Sequence, residues 1–219
     1  AQVCQIWRTV FGGGANRVRC VMGGQAANTY IAETALECPL STLKPCRTRG
    51  FHGLAIAPYV GDHVGLPNHQ TAVEGWTAAA DGGLAHLFTE LNTGTVLNDA
   101  EGGMPVVRSR ISAHATLARA QGVELLAYEG GQHLVGVGNP ANSSAINTLF
   151  DAANRDARMG TLYFTAPEFH QRVDHFAVIT MPHLQQLTAT LHERREGLGG
   201  ELRDVLIEEV GQTICLKHT

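Results

Sequence analysis

Leu125-Leu126-Ala127-Tyr128-Glu129-Gly130-Gly131-Gln132-His133 is a short apolar run that ends in a single carboxylate followed by two glycines. An apolar run of this length, bounded by turn formers, reads as a strand buried on both faces, which is the habit of a parallel sheet. A carboxylate at the C-terminal tip of such a strand, followed by residues that let backbone and ligand approach closely, lies where barrel enzymes keep their chemistry. Glu129 is therefore the first catalytic candidate.

Three more segments have the same character, at residues 17–22, 53–59 and 176–181. Helical patterns fall between the strands, at residues 26–37, 71–91, 106–121 and 145–153. Single strands alternating with helices predict parallel β/α units, because a parallel neighbour needs a crossover that a helix supplies. The pattern at 106–121 is the clearest: Val107, Ile111, Ala115 and Leu117/Ala118 make one stripe, and Gly122 closes it before the next strand. The connection at 61–68, with Pro67, and the loop at 136–144 are candidate active-site loops. Residues 184–219 read as one or two charged amphipathic helices interrupted by Gly197, Gly199 and Gly200. The expected organisation is a β/α domain over 1–183 and a helical extension over 184–219, with no repeat and no linker.

Composition narrows the function classes. The chain has 219 residues, 44% of them hydrophobic, which is enough for a substantial core. A formal charge of −4 gives no basic excess for phosphate backbones, so no nucleic-acid partner is expected. No apolar run approaches the ~18 residues needed to cross a bilayer, so no membrane role is expected either. Five cysteines, at 4, 20, 38, 46 and 215, are odd in number and include no Cys-x-x-Cys. Cys38 and Cys46 flank a Pro-containing loop and can either bridge in an oxidising compartment or remain thiols.

Several phrases in order, Gln5-Ile6-Trp7-Arg8-Thr9-Val10-Phe11-Gly12, Gln25-Ala26-Ala27-Asn28, Leu54-Ala55-Ile56-Ala57-Pro58-Tyr59, Ala127-Tyr128-Glu129-Gly130-Gly131-Gln132-His133, and Asn154-Arg155-Asp156 with Arg158-Met159-Gly160, point beyond fold class. Over about residues 1–163 the chain resembles the C-terminal half of large bacterial (β/α)₈ glycoside-hydrolase-like proteins related to the retaining glycosidases. The resemblance implies that the four strands correspond to the fifth through eighth of a barrel. It places Glu129 at the nucleophile position after strand seven, with Tyr59 at the same mouth. It also implies a secreted or periplasmic location. The segment that would carry the usual acid/base after strand four has no counterpart here. Half a barrel leaves two sheet edges unpaired, which calls for a missing N-terminal half or a homodimer.

A retaining glycosidase needs two carboxyl groups about 5 Å apart. Glu129 fills one role as nucleophile. Asp62 is the candidate for the other, although a neighbouring imidazole, His63, favours the charged carboxylate rather than the proton-holding acid. Asn28, Tyr59, Gln132 and His133 are candidate carbohydrate-binding residues, and no cofactor is expected. His52, His63, His69, His114 and His133 include no compact metal-ligand motif, so no metal is expected. Phe11-Gly12-Gly13-Gly14 reads as a helix-ending turn rather than a phosphate or oxyanion loop. Two alternatives stay open: an esterase using Ser143 or Ser144 with a histidine such as His175, and a carbohydrate-binding remnant that lacks the acid.

Overall fold

The structure, a computed structural model, describes residues 2–40, 42, 45–164 and 175–176. The expected helical extension at 184–219 and most of the strand expected at 176–181 lie outside these residues. The chain is α/β, with every observed strand pairing parallel. It forms two compact units. One comprises Ala1–Ala57 and Ala113–Gly130 together with His175–Phe176; the other comprises Pro58–Ser112 and the described part of Gly131–Arg172.

In the first unit, helix α1 (Gln2–Phe11) leads through a 3-10 segment to strand β1 (Val21–Gly23), then α2 (Thr29–Glu37) and β2 (Gly53–Ile56). The C-terminal part of α5 (Gly103–Gln121) returns the chain to β4 (Glu124–Ala127), and β6 (His175–Phe176) completes a sheet in the order β1-β2-β4-β6. All four residues of β2 and three of β4 are buried, as a strand covered on both faces requires. Their register pairs Gly53 with Glu124 and Ile56 with Ala127. A Cβ at Gly53 would meet Leu126 Cδ1 at 2.7 Å, so a larger residue at this crossing requires the Leu126 side chain to shift.

The second unit holds a two-stranded sheet of β3 (Tyr59–Val60) and β5 (Gly131–Gln132), beside helices α3 (Gln70–Trp76), α4 (Leu84–Thr93), α6 (Ser144–Arg155) and α7 (Ala157–Phe164). Its apolar core is helical, with Trp76, Leu87, Leu91, Ile146, Phe150 and Met159 all buried.

Three elements differ from the sequence reading. The segment at 53–59 is two strands in two sheets, because Pro58 has no N–H to continue a ladder and its carbonyl instead accepts from Gly131 N–H at 3.3 Å. The helix at 71–91 is two, α3 and α4, because Gly82 and Gly83 take φ of +67° and +94° and Asp81 accepts from the N–H groups of Gly83 and Ala85. The strand at 17–22 shortens to β1, since residues 12–17, beginning with the three glycines, wind into a 3-10 turn. Gly122, with φ +68°, ends α5 where expected.

Cysteines pair as Cys4–Cys20 and Cys38–Cys46, with Cα separations of 5.8 and 5.5 Å. The second is one of the two outcomes the sequence left open; the first joins α1 to the residue just before β1. Cys215 lies outside the described residues.

Gly65 is the tightest glycine in the second unit. A Cβ would stand 1.8 Å from the Val135 carbonyl oxygen, and the Gly65 carbonyl itself accepts from Val137 N–H at 2.9 Å. Neither backbone can yield without losing that pairing. Gly65→Ala is expected to lower stability by about 3 kcal/mol, read as a shift of the urea midpoint at unchanged m-value.

Candidate functional site

Glu129 stands two residues beyond the last paired residue of β4, at the carboxyl end of the four-stranded sheet. Its side chain is half-buried and has no hydrogen bond or ion pair to any described residue. Tyr128 N–H donates to the Ile56 carbonyl at 3.2 Å, which fixes the backbone immediately before it. Burial, and then the Glu129 charge, push the Tyr128 hydroxyl above the usual tyrosine range, so it stays protonated and able to donate.

Glu124 is the contrasting carboxylate. It begins β4 at the opposite end of the sheet and forms an ion pair with Arg19 at 3.1 Å. Nearby, His52 Nδ1 accepts from Cys20 N–H at 2.9 Å, while burial and then the charges of Arg19 and Arg8 lower its pKa and keep it the neutral acceptor. The amino end is thus occupied by structural pairing, whereas the carboxyl end carries an acid with no partner among the described residues. Of the other described carboxylates in this unit, Glu33 is exposed on α2 and Glu37 pairs with Arg47.

Asn28 belongs to the loop after β1, at the same carboxyl end. It is exposed and caps α2, its Oδ1 accepting from Tyr30 N–H at 3.0 Å. Gly24 in this loop donates to the Ala55 carbonyl at 2.7 Å, and a Cβ there would press on Leu54 and Ala32.

The remaining candidates belong to the second unit. Tyr59 and His133 hold their rings 5.3 Å apart at the ends of β3 and β5. Gln132 folds its Oε1 onto Leu134 N–H, so that oxygen is already engaged. Asp62 is exposed at the start of a 3-10 turn, while its neighbour His63 turns inward. An open polar cleft of about 680 Å³ is lined by Gln70, Glu74, Asn139, Asn142, Ser143 and Ser144. Ser143 caps α6 and donates to Glu74 Oε1 at 2.7 Å. Hydrogen bonds from Gln70 and Ser143 hold the Glu74 carboxyl below its ordinary range, which makes it a poor base for activating a serine.

Sequence reasoning missed the most buried polar pair of this unit. His63 Nε2 meets Glu90 Oε1 at 2.8 Å with both side chains fully buried, and Glu90 Oε2 accepts from the N–H groups of Val96 and Leu97. His63 Nδ1 has no hydrogen-bond partner among the described residues. A second pair, His69 Nε2 with Asp99 Oδ2 at 2.6 Å, lies alongside, its ring edge-on to His63 at 6.5 Å. The signal was present: Glu90 falls three residues after Leu87 and one before Leu91, on the buried side of α4. Among the described residues, no three His, Cys, Asp or Glu side chains come together as a metal site, and no helix is long and apolar enough to cross a membrane.

The Asn154-Arg155-Asp156 and Arg158-Met159-Gly160 phrases form the joint between α6 and α7. Asp156 accepts from the backbone and guanidinium of Arg158, whose charge lies 4.6 Å above the Phe88 ring. Comparison with family models, with curated proteins and with solved structures returns no match.

Two outcomes test these local assignments. Removing Glu90 leaves a buried imidazole and two amides without their acceptor, so Glu90→Ala is expected to cost about 3 kcal/mol in urea unfolding. The Arg158 hydrogen bonds hold Asp156 at a pKa of about 2, below its usual 3.8. A depressed carboxylate stabilises above its unfolded pKa, and that contribution disappears as pH falls through about 2. In a carboxyl-carbon NMR titration the Asp156 midpoint should lie near 2 and rise toward 3.8 in Arg158→Ala.

Proposed function

We propose that the chain is the second half of a (β/α)₈ barrel related to bacterial retaining glycosidases, with Glu129 as the nucleophile toward a β-linked carbohydrate. The observation that carries this reading is the position and state of Glu129: a half-buried carboxylate without an ion pair among the described residues, at the carboxyl end of an all-parallel sheet. The order of sequence phrases around it adds to that support.

In the retaining mechanism the Glu129 carboxylate attacks the anomeric carbon as the bond to the leaving oxygen breaks, and water then releases the sugar from the covalent ester. Asn28, in Glu129's own unit, remains a proposed sugar contact, offering its amide nitrogen because its oxygen caps α2.

A second reading, a carbohydrate-binding remnant, is favoured by one observation. Among the described residues of Glu129's own unit, no second carboxylate lies at the sheet's carboxyl end, which leaves the acid role without a local occupant. The two disulfides support an oxidising location, secreted or periplasmic, under either reading.

An aryl β-glycoside with a nitrophenolate leaving group separates the two readings, because such a group departs with little help from an acid. Release of nitrophenolate that falls about 10³-fold or more in Glu129→Gln is the glycosidase outcome, the scale on which loss of a nucleophile is felt. Saccharide binding without release is the remnant outcome. Aryl-ester cleavage indifferent to Glu129→Gln contradicts both.

A further inference from the structure

Helix α1 wears its amphipathicity inside out. Cys4 and Arg8, one turn apart, are its half-buried residues: Cys4 is bonded to Cys20, and Arg8 Nη2 donates to the Gly50 carbonyl at 2.7 Å. The apolar residues Val3, Ile6, Trp7, Val10 and Phe11 follow the i, i+3, i+4, i+7, i+8 spacing of a single stripe. That stripe faces away from the protein, from 42% exposed at Trp7 to 69% at Val10, and no residue of the helix is buried. A ten-residue helix is marginal in water by itself, and a contiguous apolar stripe on an otherwise soluble chain marks an interaction surface.

The neighbouring strand says what fits that surface. β1 is the edge of the four-stranded sheet, and its outer backbone groups have no strand partner among the described residues. The Cys4–Cys20 link sets α1 directly before β1, so the apolar stripe and the free edge belong to one end of the same unit. At the other end, β6 likewise has no outer neighbour among the described residues. Two four-stranded parallel sheets related by a two-fold axis along the strands put β6 of one beside β1 of the other at both junctions, with every pairing parallel. The total is eight strands, the number at which parallel β/α sheets close.

We propose that a second copy of this chain covers α1 and the β1 edge, giving a two-fold dimer with a closed parallel barrel. This rests on the half-barrel reading above. Its test measures mass rather than catalysis, so a silent Glu129 and a missing dimer are separate failures.

Light scattering after gel filtration of the full chain should give twice 23.4 kDa across the micromolar range. Ile6→Glu and Val10→Glu, both at exposed positions, should each return the mass to 23.4 kDa with unchanged far-UV circular dichroism. A monomeric wild type overturns the proposal, as does a dimer untouched by either substitution. A monomer that binds vesicles of phosphatidylcholine and phosphatidylglycerol through Trp7 also overturns it, assigning the stripe to a lipid surface.

Discussion

The parallel ladder between β2 and β4 is the constraint on which the first unit depends. Gly53–Ile56 and Glu124–Ala127 are remote in sequence yet pair in register, so the intervening chain must leave the sheet and return to start again from the same end. That obligation explains why α5 terminates at Gly122 and hands straight to β4. It also gives the sheet a polarity. Glu124, at the amino end, is tied to Arg19; Glu129, at the carboxyl end, has no ion pair among the described residues. One strand thus separates a structural carboxylate from a chemically available one.

The second unit is held differently, by a helical apolar core around a buried imidazole and carboxylate. Full burial of His63 and Glu90 costs desolvation, which their mutual hydrogen bond and the two amides on Glu90 offset. The arrangement clips the 3-10 turn at Asp62–Gly65 and the chain at Val96 and Leu97 to α4 at the same carboxylate. Its contribution is to fix loop positions, since apolar residues of similar volume would serve stability as well.

The parallel α/β character was legible because strand burial writes itself as continuous apolar runs and α5 as a strict stripe ended by glycine. Boundaries were less legible. Pro58 lies in the middle of an unbroken apolar run, and its missing N–H, not its hydropathy, divides β2 from β3. Ala78-Ala79-Ala80 favours helix, yet α3 ends at Trp76, and Asp81-Gly82-Gly83 starts α4 afresh through side-chain hydrogen bonds and two left-handed glycines. Of the site, the strand-tip position of Glu129 could be read directly. The engagement of Asn28 and Gln132 in backbone hydrogen bonds could not, because both are local geometric choices available to any amide in a loop. The His63–Glu90 pair was hidden for another reason: adjacency drew attention to Asp62 and His63, whereas folding brings the imidazole to a helix distant in sequence.

Covalent trapping tests the role of Glu129 most directly. A 2-deoxy-2-fluoro β-glycoside bearing dinitrophenolate slows both steps by withdrawing charge from the anomeric carbon, while its leaving group needs no proton, so the ester accumulates on the nucleophile. Mass spectrometry of the peptides after digestion should find the fluorosugar on Glu129, with none formed in Glu129→Gln. An unmodified chain, or label on any other residue, would contradict the assignment.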